Sequence, residues 1–379
     1  MSEPIYLDNH SATKPFLEVL DVAGRASRDY WGAGFSPHFI GQQQAYPLAR
    51  GEKSLLESLG AGEGDLLFFS SGSAEGLYHV LLNTYLEITK QTGKTLILTG
   101  QTEEMPLKLI GEKMESFGCL IREIPVNSKG QITRQALAKA ITPKTAIFSC
   151  SWANGLTGTL QPIWDLAEVC RENNILFHVD VSYLVGKVFF RFQDLGADFI
   201  TLDGCLVHSL PGTGVTLVKK GTAISPFIPG RFSQSVAGVS TLAHAVFEMQ
   251  DKFEHYSMET VRLRDLLESE ILQRIPEAII LCKDADRLPD CFAVAFPGIY
   301  AEALLYLLHT KGIYASIGGG RFQELETILL HMGNPPHIAS SAISFSLAWD
   351  TTEEEILRAA EEISFSVKQL QECSKGVFL

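Results

Sequence analysis

The sequence lacks several features, and each absence excludes a class of protein. No two cysteines are spaced C-x-x-C, and the seven present are scattered, at 119, 150, 170, 205, 282, 291 and 373. An odd, dispersed set gives neither a disulfide framework nor a zinc knuckle, so the thiols read as reduced and no metal is expected. Positive charge is scarce: 31 Lys and Arg stand against 44 Asp and Glu, a net charge of -13. A surface of that sign repels nucleic acid and anionic lipid, so neither is an expected partner. No uninterrupted apolar run reaches about 18 residues, and MSEPIYLDNH at the start has no basic region leading into an apolar one. The expectation is an unprocessed, cytoplasmic protein with no membrane span. Repeats and low-complexity tracts are absent too.

What is present is apolar and patterned. Hydrophobic residues fill 46% of 379 positions, and at about 150 residues per domain the length suggests two or three domains. From Leu66 to Leu217 short apolar runs read as strands: 66–71, 95–100, 119–126, 145–151, 175–181 and 198–203. Between them, 73–88, 104–117, 133–141 and 163–173 carry apolar residues at helical spacing. This alternation predicts an α/β domain whose mainly parallel sheet is covered by helices and binds ligands at the carboxyl ends of its strands.

Beyond a stretch rich in glycine and proline (Pro211 to Gly230), a long helix over 241–273 leads into a smaller unit. That unit has strands over 291–296 and 342–348, helices over 300–311 and 322–332, and a terminal helix. Thr352 followed by Glu355 reads as the capping box that opens the last helix. The expected division is a large domain over 16–250 and a small α/β domain built from 1–15 and 251–379.

Two features carry chemistry. Asp180 ends the apolar strand FHVD, where a carboxylate needs a cationic partner or several donors; a protonated pyridine nitrogen is one such partner. SSGSAEG (70–76) puts small residues at a helix start, where free N–H groups and the helix dipole favour a phosphate. Together they suggest pyridoxal phosphate (PLP). Singly, each is better read as ordinary structure: a helix cap or core ion pair for Asp180, and a Ser-capped helix for 70–76.

Seven segments decide between these readings by their order: YLDNHSATKP (6–15), WGAGFSPHFIGQQQA (31–45), FFSSGSAEG (68–76), GLTGTLQPI (155–163), FHVDVSYLVGK (177–187), GTGVTLVKK (212–220) and SAISFSLAWDTTEEEI (341–356). The chain resembles the cysteine desulfurase (NifS-like) family, in the class V aminotransferase group of fold-type I PLP enzymes. The resemblance implies the PLP-dependent transferase fold of the aspartate aminotransferase type and a homodimer. It also implies PLP as cofactor and transfer of sulfur from L-cysteine to an active-site thiol, with release of alanine.

Residue by residue, the resemblance carries the fold but not the chemistry. Gly212 and Gly214 fix the register that puts Leu206 at the family's PLP-lysine position, and no lysine occurs between Lys187 and Lys219. Lys219 and Lys220 match a basic pair expected to face solvent. A Schiff base needs a primary amine, so covalent PLP is not expected. Glu104 stands at the position of the ring-stacking histidine, Ala74 at a phosphate-binding threonine, Tyr183 at a glutamine and Gly155 at an asparagine. Val236 and Val239 replace a basic residue and a threonine, and Ser344 replaces the arginine that clamps the substrate carboxylate. The loop 314–326, which should present the nucleophile, has no cysteine. No catalytic residue carries over. The residual cofactor-binding set is Asp180, His178, Ser71, Gly72, Ser73 and Tyr183, with Glu75 fitting the surrounding pattern.

The expected function is therefore a cysteine desulfurase-like pseudoenzyme acting as scaffold or regulator, with a paralogous desulfurase or a sulfur-transfer protein as a possible partner. The alternatives are an active PLP enzyme of the family, noncovalent binding of PLP, or new chemistry from Asp203, Cys205, His208 and Glu104. In the last case a Cys205–His208 pair would serve as nucleophile or metal site. Arg231 and Arg321 lie in loops that face the site, each a candidate for an anionic ligand or a surface ion pair. Without a pyridinium, Asp180 is expected to take donors from His178, serine or Tyr183 hydroxyls, or to carry a raised pKa. Tyr183 is expected to fill part of the vacated ring site.

Overall fold

The computed structural model describes residues 3–228 and 235–377. Its strands are β1 (Ile5–Tyr6), β2 (Leu66–Ser70), β3 (Leu96–Gly100), β4 (Leu120–Ile124), β5 (Thr145–Ser151), β6 (Leu176–Asp180), β7 (Phe199–Asp203), β8 (Gly214–Val218), β9 (Ile279–Ile280), β10 (Cys291–Ala295), β11 (Ile313–Tyr314) and β12 (Ala342–Ser346). Seven of them form one sheet in the order β2-β8-β7-β6-β5-β3-β4, in which β8 alone runs against the rest. The central strands are buried because helices cover both faces, which is why β3 and β5 read as nearly unbroken apolar runs. β4 is an edge strand, and LIREI accordingly mixes exposed charge with apolar residues.

A second core gathers Leu263, Phe292, Val294, Phe345 and Ile363 around the antiparallel strands β12-β10-β9. Ile5 and Leu7 join it, because β1 pairs in parallel with β11 and brings the first residues of the chain to the C-terminal part. The terminal helix Glu353–Val377 opens on the expected capping box: Thr352 N–H donates to Glu355 at 2.8 Å, and Glu355 N–H donates to the Thr352 hydroxyl at 3.2 Å.

Three elements differ from expectation. The long helix over 241–273 is two helices, Val236–Asp251 and Phe253–Arg274. The break falls at Lys252, whose ammonium binds Glu248 at 2.8 Å and lies 5.2 Å from the Phe16 ring centroid and 5.7 Å from that of Trp349. The helix over 73–88 is α-helical only to Thr84 and ends in a π-turn over Tyr85–Thr89. Helices Leu17–Asp29 and Ala45–Ser58 precede the strand–helix alternation and were not anticipated; both pack on Val236–Asp251.

Candidate functional site

The carboxyl ends of β3, β5, β6 and β7 converge with the start of helix Ser73–Thr84, as a parallel sheet requires. At the end of β6, Asp180 is held by its neighbours: Oδ1 accepts Ser182 N–H at 2.8 Å, and Oδ2 accepts the Thr201 hydroxyl at 3.0 Å. That hydroxyl has given its one proton to Asp180, so it accepts from His178 Nε2 at 3.0 Å. His178 Nδ1 then accepts the Ser149 hydroxyl at 2.8 Å. Burial drives His178 down to about 3, so the ring is neutral. Neither His178 nor Tyr183 bonds Asp180 directly; of the alternatives expected for it, the raised pKa is the one seen.

Tyr183 instead gives its hydroxyl to Glu104 Oε1. The other Glu104 oxygen receives both Nε and Nη2 of Arg321, at 3.0 and 2.8 Å. The guanidinium carbon lies 5.6 Å from the Tyr183 ring centroid, and Nη1 is 3.9 Å from Asp203 Oδ2. Gly155 belongs to the same arrangement. A Cβ there would come within 2.7 Å of Tyr183 Cζ and 2.5 Å of Phe322 Cε1, so these two rings take the space of a larger side chain. The carboxylate that Arg321 pairs with is not a surface one but Glu104, which is 12% exposed.

The helix start is also taken. Asp203 Oδ2 accepts Ser73 N–H at 3.2 Å and lies 3.4 Å from the Ser73 hydroxyl, while Glu75 accepts Ser71 N–H at 2.6 Å. Gly72 lies against Asp203, whose Oδ2 would stand 2.9 Å from a Cβ at that position. Carboxylates of the chain therefore satisfy two of the N–H donors, those of Ser71 and Ser73, that a phosphate would use.

Carboxylates outnumber cations here, and their titration reflects it. Burial raises Asp180 to about 6 and the Glu104 charge adds to the effect, while Ser182 and Arg321 oppose it. Glu103, which sequence reasoning passed over, is fully enclosed; burial lifts it to about 8 although Ser151 N–H donates to it at 2.8 Å. Burial works against the Arg321 charge, but Glu104, Tyr183, Asp203 and Asp180 outweigh it and hold the guanidinium protonated.

The remaining predicted residues separate. Leu206 is buried in the core with 1% of its surface exposed. Cys205 and His208 do not form a pair: the His208 ring stacks on Phe16 and bonds Lys14 O at 2.8 Å. Burial, with Asp203 beside it, raises the Cys205 thiol to about 12, so it stays protonated. Among the described residues no group of three or more His, Cys, Asp or Glu could hold a metal. Ser344 is buried and donates to Leu156 O at 2.6 Å. Val236 and Val239 are buried on their helix, Lys219 and Lys220 are exposed, and Arg231 lies outside the described residues.

A second polar cluster, absent from the sequence reading, lies beside the first. Asp290 Oδ2 binds Lys187 Nζ at 2.6 Å and His10 Nε2 at 3.1 Å, and His10 Nδ1 meets Gly155 O at 2.8 Å. Burial raises the Asp290 carboxyl, but Lys187 and His10 overcome it and hold the group well below the usual range. The Tyr183 ring, 4.8 Å from that of His10, joins the two clusters.

With this geometry in view, comparison with known proteins assigns the scaffold. A family model for aminotransferase class V matches residues 5–255. The cysteine desulfurase of Nostoc sp. is 30% identical over 98% of this chain and 94% of that protein. The chain belongs to the class V aminotransferase family, in its cysteine desulfurase group. Cysteine desulfurase NifS of Azotobacter vinelandii is 29% identical over 98% of the chain and 94% of its own length. Among solved structures, a NifS-like protein superposes with a TM-score of 0.89 at 26% identity, covering 97% of this chain and all of that one. A NifS-like protein from Rickettsia africae, 20% identical and covering 98% of the chain and all of its own, has a TM-score of 0.84 and the same fold.

The family implies PLP, and the residues present do not fit it. The cavity beside Asp180, between Ser73, Ala74, Leu107 and His178, measures about 20 Å³, room for about one water. Leu206 is buried in the core, and Lys187 is committed to Asp290. Asp203 and Glu75 hold the helix start, and Arg321, Glu104 and Tyr183 fill the space in front of Asp180.

Proposed function

We propose that this member of the family carries out no cysteine desulfuration and acts through partners on the retained fold. One observation carries the reading: Glu104, Tyr183 and Arg321 bond to one another where a ring-stacking histidine, a glutamine and an open cleft belong in the family. Side chains that satisfy each other leave no amine for a covalent link, no thiol to receive sulfur and no cation for a substrate carboxylate. Leu206, the cysteine-free loop 314–326 and the backbone-bonded Ser344 support it. His178, Asp180, Ser71, Gly72, Ser73 and Tyr183 remain in place as inherited framework rather than as a working cradle.

The proposed form is a homodimer of a large domain (16–250) and a small one (1–15 and 251–379), working in the cytoplasm as a scaffold or regulator. Its partner would be a competent desulfurase or another sulfur-transfer protein. Trp31, Phe35, Phe39 and Tyr46 are exposed aromatic residues on one short segment, the composition of a contact surface. Among the described residues no helix is long and apolar enough to cross a membrane.

A second reading, an active PLP-dependent desulfurase, is favoured by the similarity to NifS along 98% of the chain. Incubation with L-cysteine and PLP separates the two. Alanine and sulfide at the level of a protein-free control fit the proposal, and alanine produced in proportion to protein establishes the second reading.

A further inference from the structure

We propose that the space in front of Asp180 is a guanidinium-binding site, filled from within by Arg321 and open to small guanidinium compounds when the loop carrying Arg321 swings away. The proposal rests on the reading that lysine-bound PLP does not occupy this space.

The site is built for a planar cation with several N–H donors. One oxygen of Glu104 receives two guanidinium N–H groups, while the Tyr183 hydroxyl fixes the other oxygen, so the carboxylate is held in place before any cation arrives. The Tyr183 ring lies along the guanidinium and a second carboxylate, Asp203, stands 3.9 Å from Nη1. Convergent N–H donors and an aromatic contact suit a guanidinium; an ammonium, a compact and strongly hydrated charge, uses them poorly.

Arg321 follows a run of three glycines. Gly318, Gly319 and Gly320 all have positive φ, +90°, +85° and +64°, a conformation that side chains rarely adopt. At Gly318 a Cβ would also run into Gln323 O, which anchors the base of the run, whereas at Gly320 it would meet nothing within 4 Å, so the end next to Arg321 is unpacked. The arm is latched by backbone as well, with Met105 N–H donating to Arg321 O at 2.8 Å. An arm that enters from a run of glycines, into a site whose recognising groups all come from the sheet side, can be replaced by a free molecule of the same chemistry.

The test uses the full chain with Arg321→Gly, titrated calorimetrically with methylguanidinium, and with methylammonium as control. The expected result is saturable binding of methylguanidinium at least about tenfold tighter than methylammonium, at least about tenfold tighter than in the unaltered chain, and lost when Glu104→Gln is added. No binding of methylguanidinium, or equal binding of the two cations, overturns the proposal. A second measurement on the unaltered chain covers misfolding of the variant: methylguanidinium, but not methylammonium, is expected to speed thermolysin cleavage at Phe322, and equal rates overturn the proposal. PLP added to the unaltered chain gives a separate answer. Binding of one PLP per chain would overturn the reading on which this site depends, whereas failure with methylguanidinium alone would leave that reading intact.

Discussion

The two polar clusters joined by Tyr183 are close neighbours with opposite electrostatics. In one, Lys187 and His10 surround a single carboxylate, Asp290, which is held strongly ionised. In the other, Arg321 faces Glu104 and Asp203, with Asp180 and Glu103 behind, and those last two have raised pKa values. A matched cluster ties distant parts of the chain together. An unmatched one, lined by more carboxylates than cations, has titrations that burial and the surrounding charges push upward. The contrast separates paired charge from crowded charge within one cleft.

The largest expected effect comes from breaking the matched cluster. Lys187→Ala removes the ammonium from the buried Asp290, leaving it only His10 and the Tyr256 hydroxyl, and is expected to lower stability by about 3–5 kcal/mol in urea unfolding. Lys187→Met with Asp290→Leu should recover most of that loss; a double variant as unstable as the single would show that shape, not charge, sets the cost.

The unmatched cluster should respond to pH instead. Glu103 has a folded pKa of about 8 against an ordinary 4.5, so the folded state holds its proton more tightly. Its stabilising contribution is complete below the unfolded value and disappears as pH rises through the folded one. Stability is therefore expected to fall between those limits with a slope of up to about 1.4 kcal/mol per pH unit. Glu103→Gln should flatten the slope, and an unchanged profile would mean that Glu103 is ionised in the folded state.

Arg321→Ala should have a smaller effect, about 1–3 kcal/mol, because Glu104 loses two hydrogen bonds but keeps that of Tyr183 and some exposure, 12%. Arg321 lowers the pKa of Asp180, so the same variant should raise it further, observable by carboxyl-carbon NMR titration. Smallest is the remote control: Thr352→Ala removes a helix cap at a cost of about 1 kcal/mol and should leave the pH profile unchanged. A changed profile would mean that the slope is not local to the unmatched cluster.

Much of the fold was legible because strands buried on both faces announce themselves as apolar runs, as in TAIFSCS, and because Thr352 and Glu355 form a local cap. The sequence placed Leu206 by its spacing to Gly212 and Gly214, and the structure buries it in the core. The contacts that fill the site were not. Glu104 and Arg321 are 217 positions apart, and His10 meets Asp290 across 280. No local pattern encodes such pairs. Lys252, at the break, meets Phe16 and Trp349, far away in sequence, and the buried His208 ring is held by Lys14 and Phe16. Glu103 carried a signal that reasoning passed over, two successive acids in the short loop that follows a buried strand.

The central claim is that the chain's own side chains have closed the family's cofactor space. The most direct measurement is a titration of the purified protein with PLP, followed by visible absorbance and by the amount retained after gel filtration. The account predicts no band of lysine-bound cofactor and no stoichiometric retention. One PLP retained per chain, with a visible band that borohydride abolishes, would contradict it.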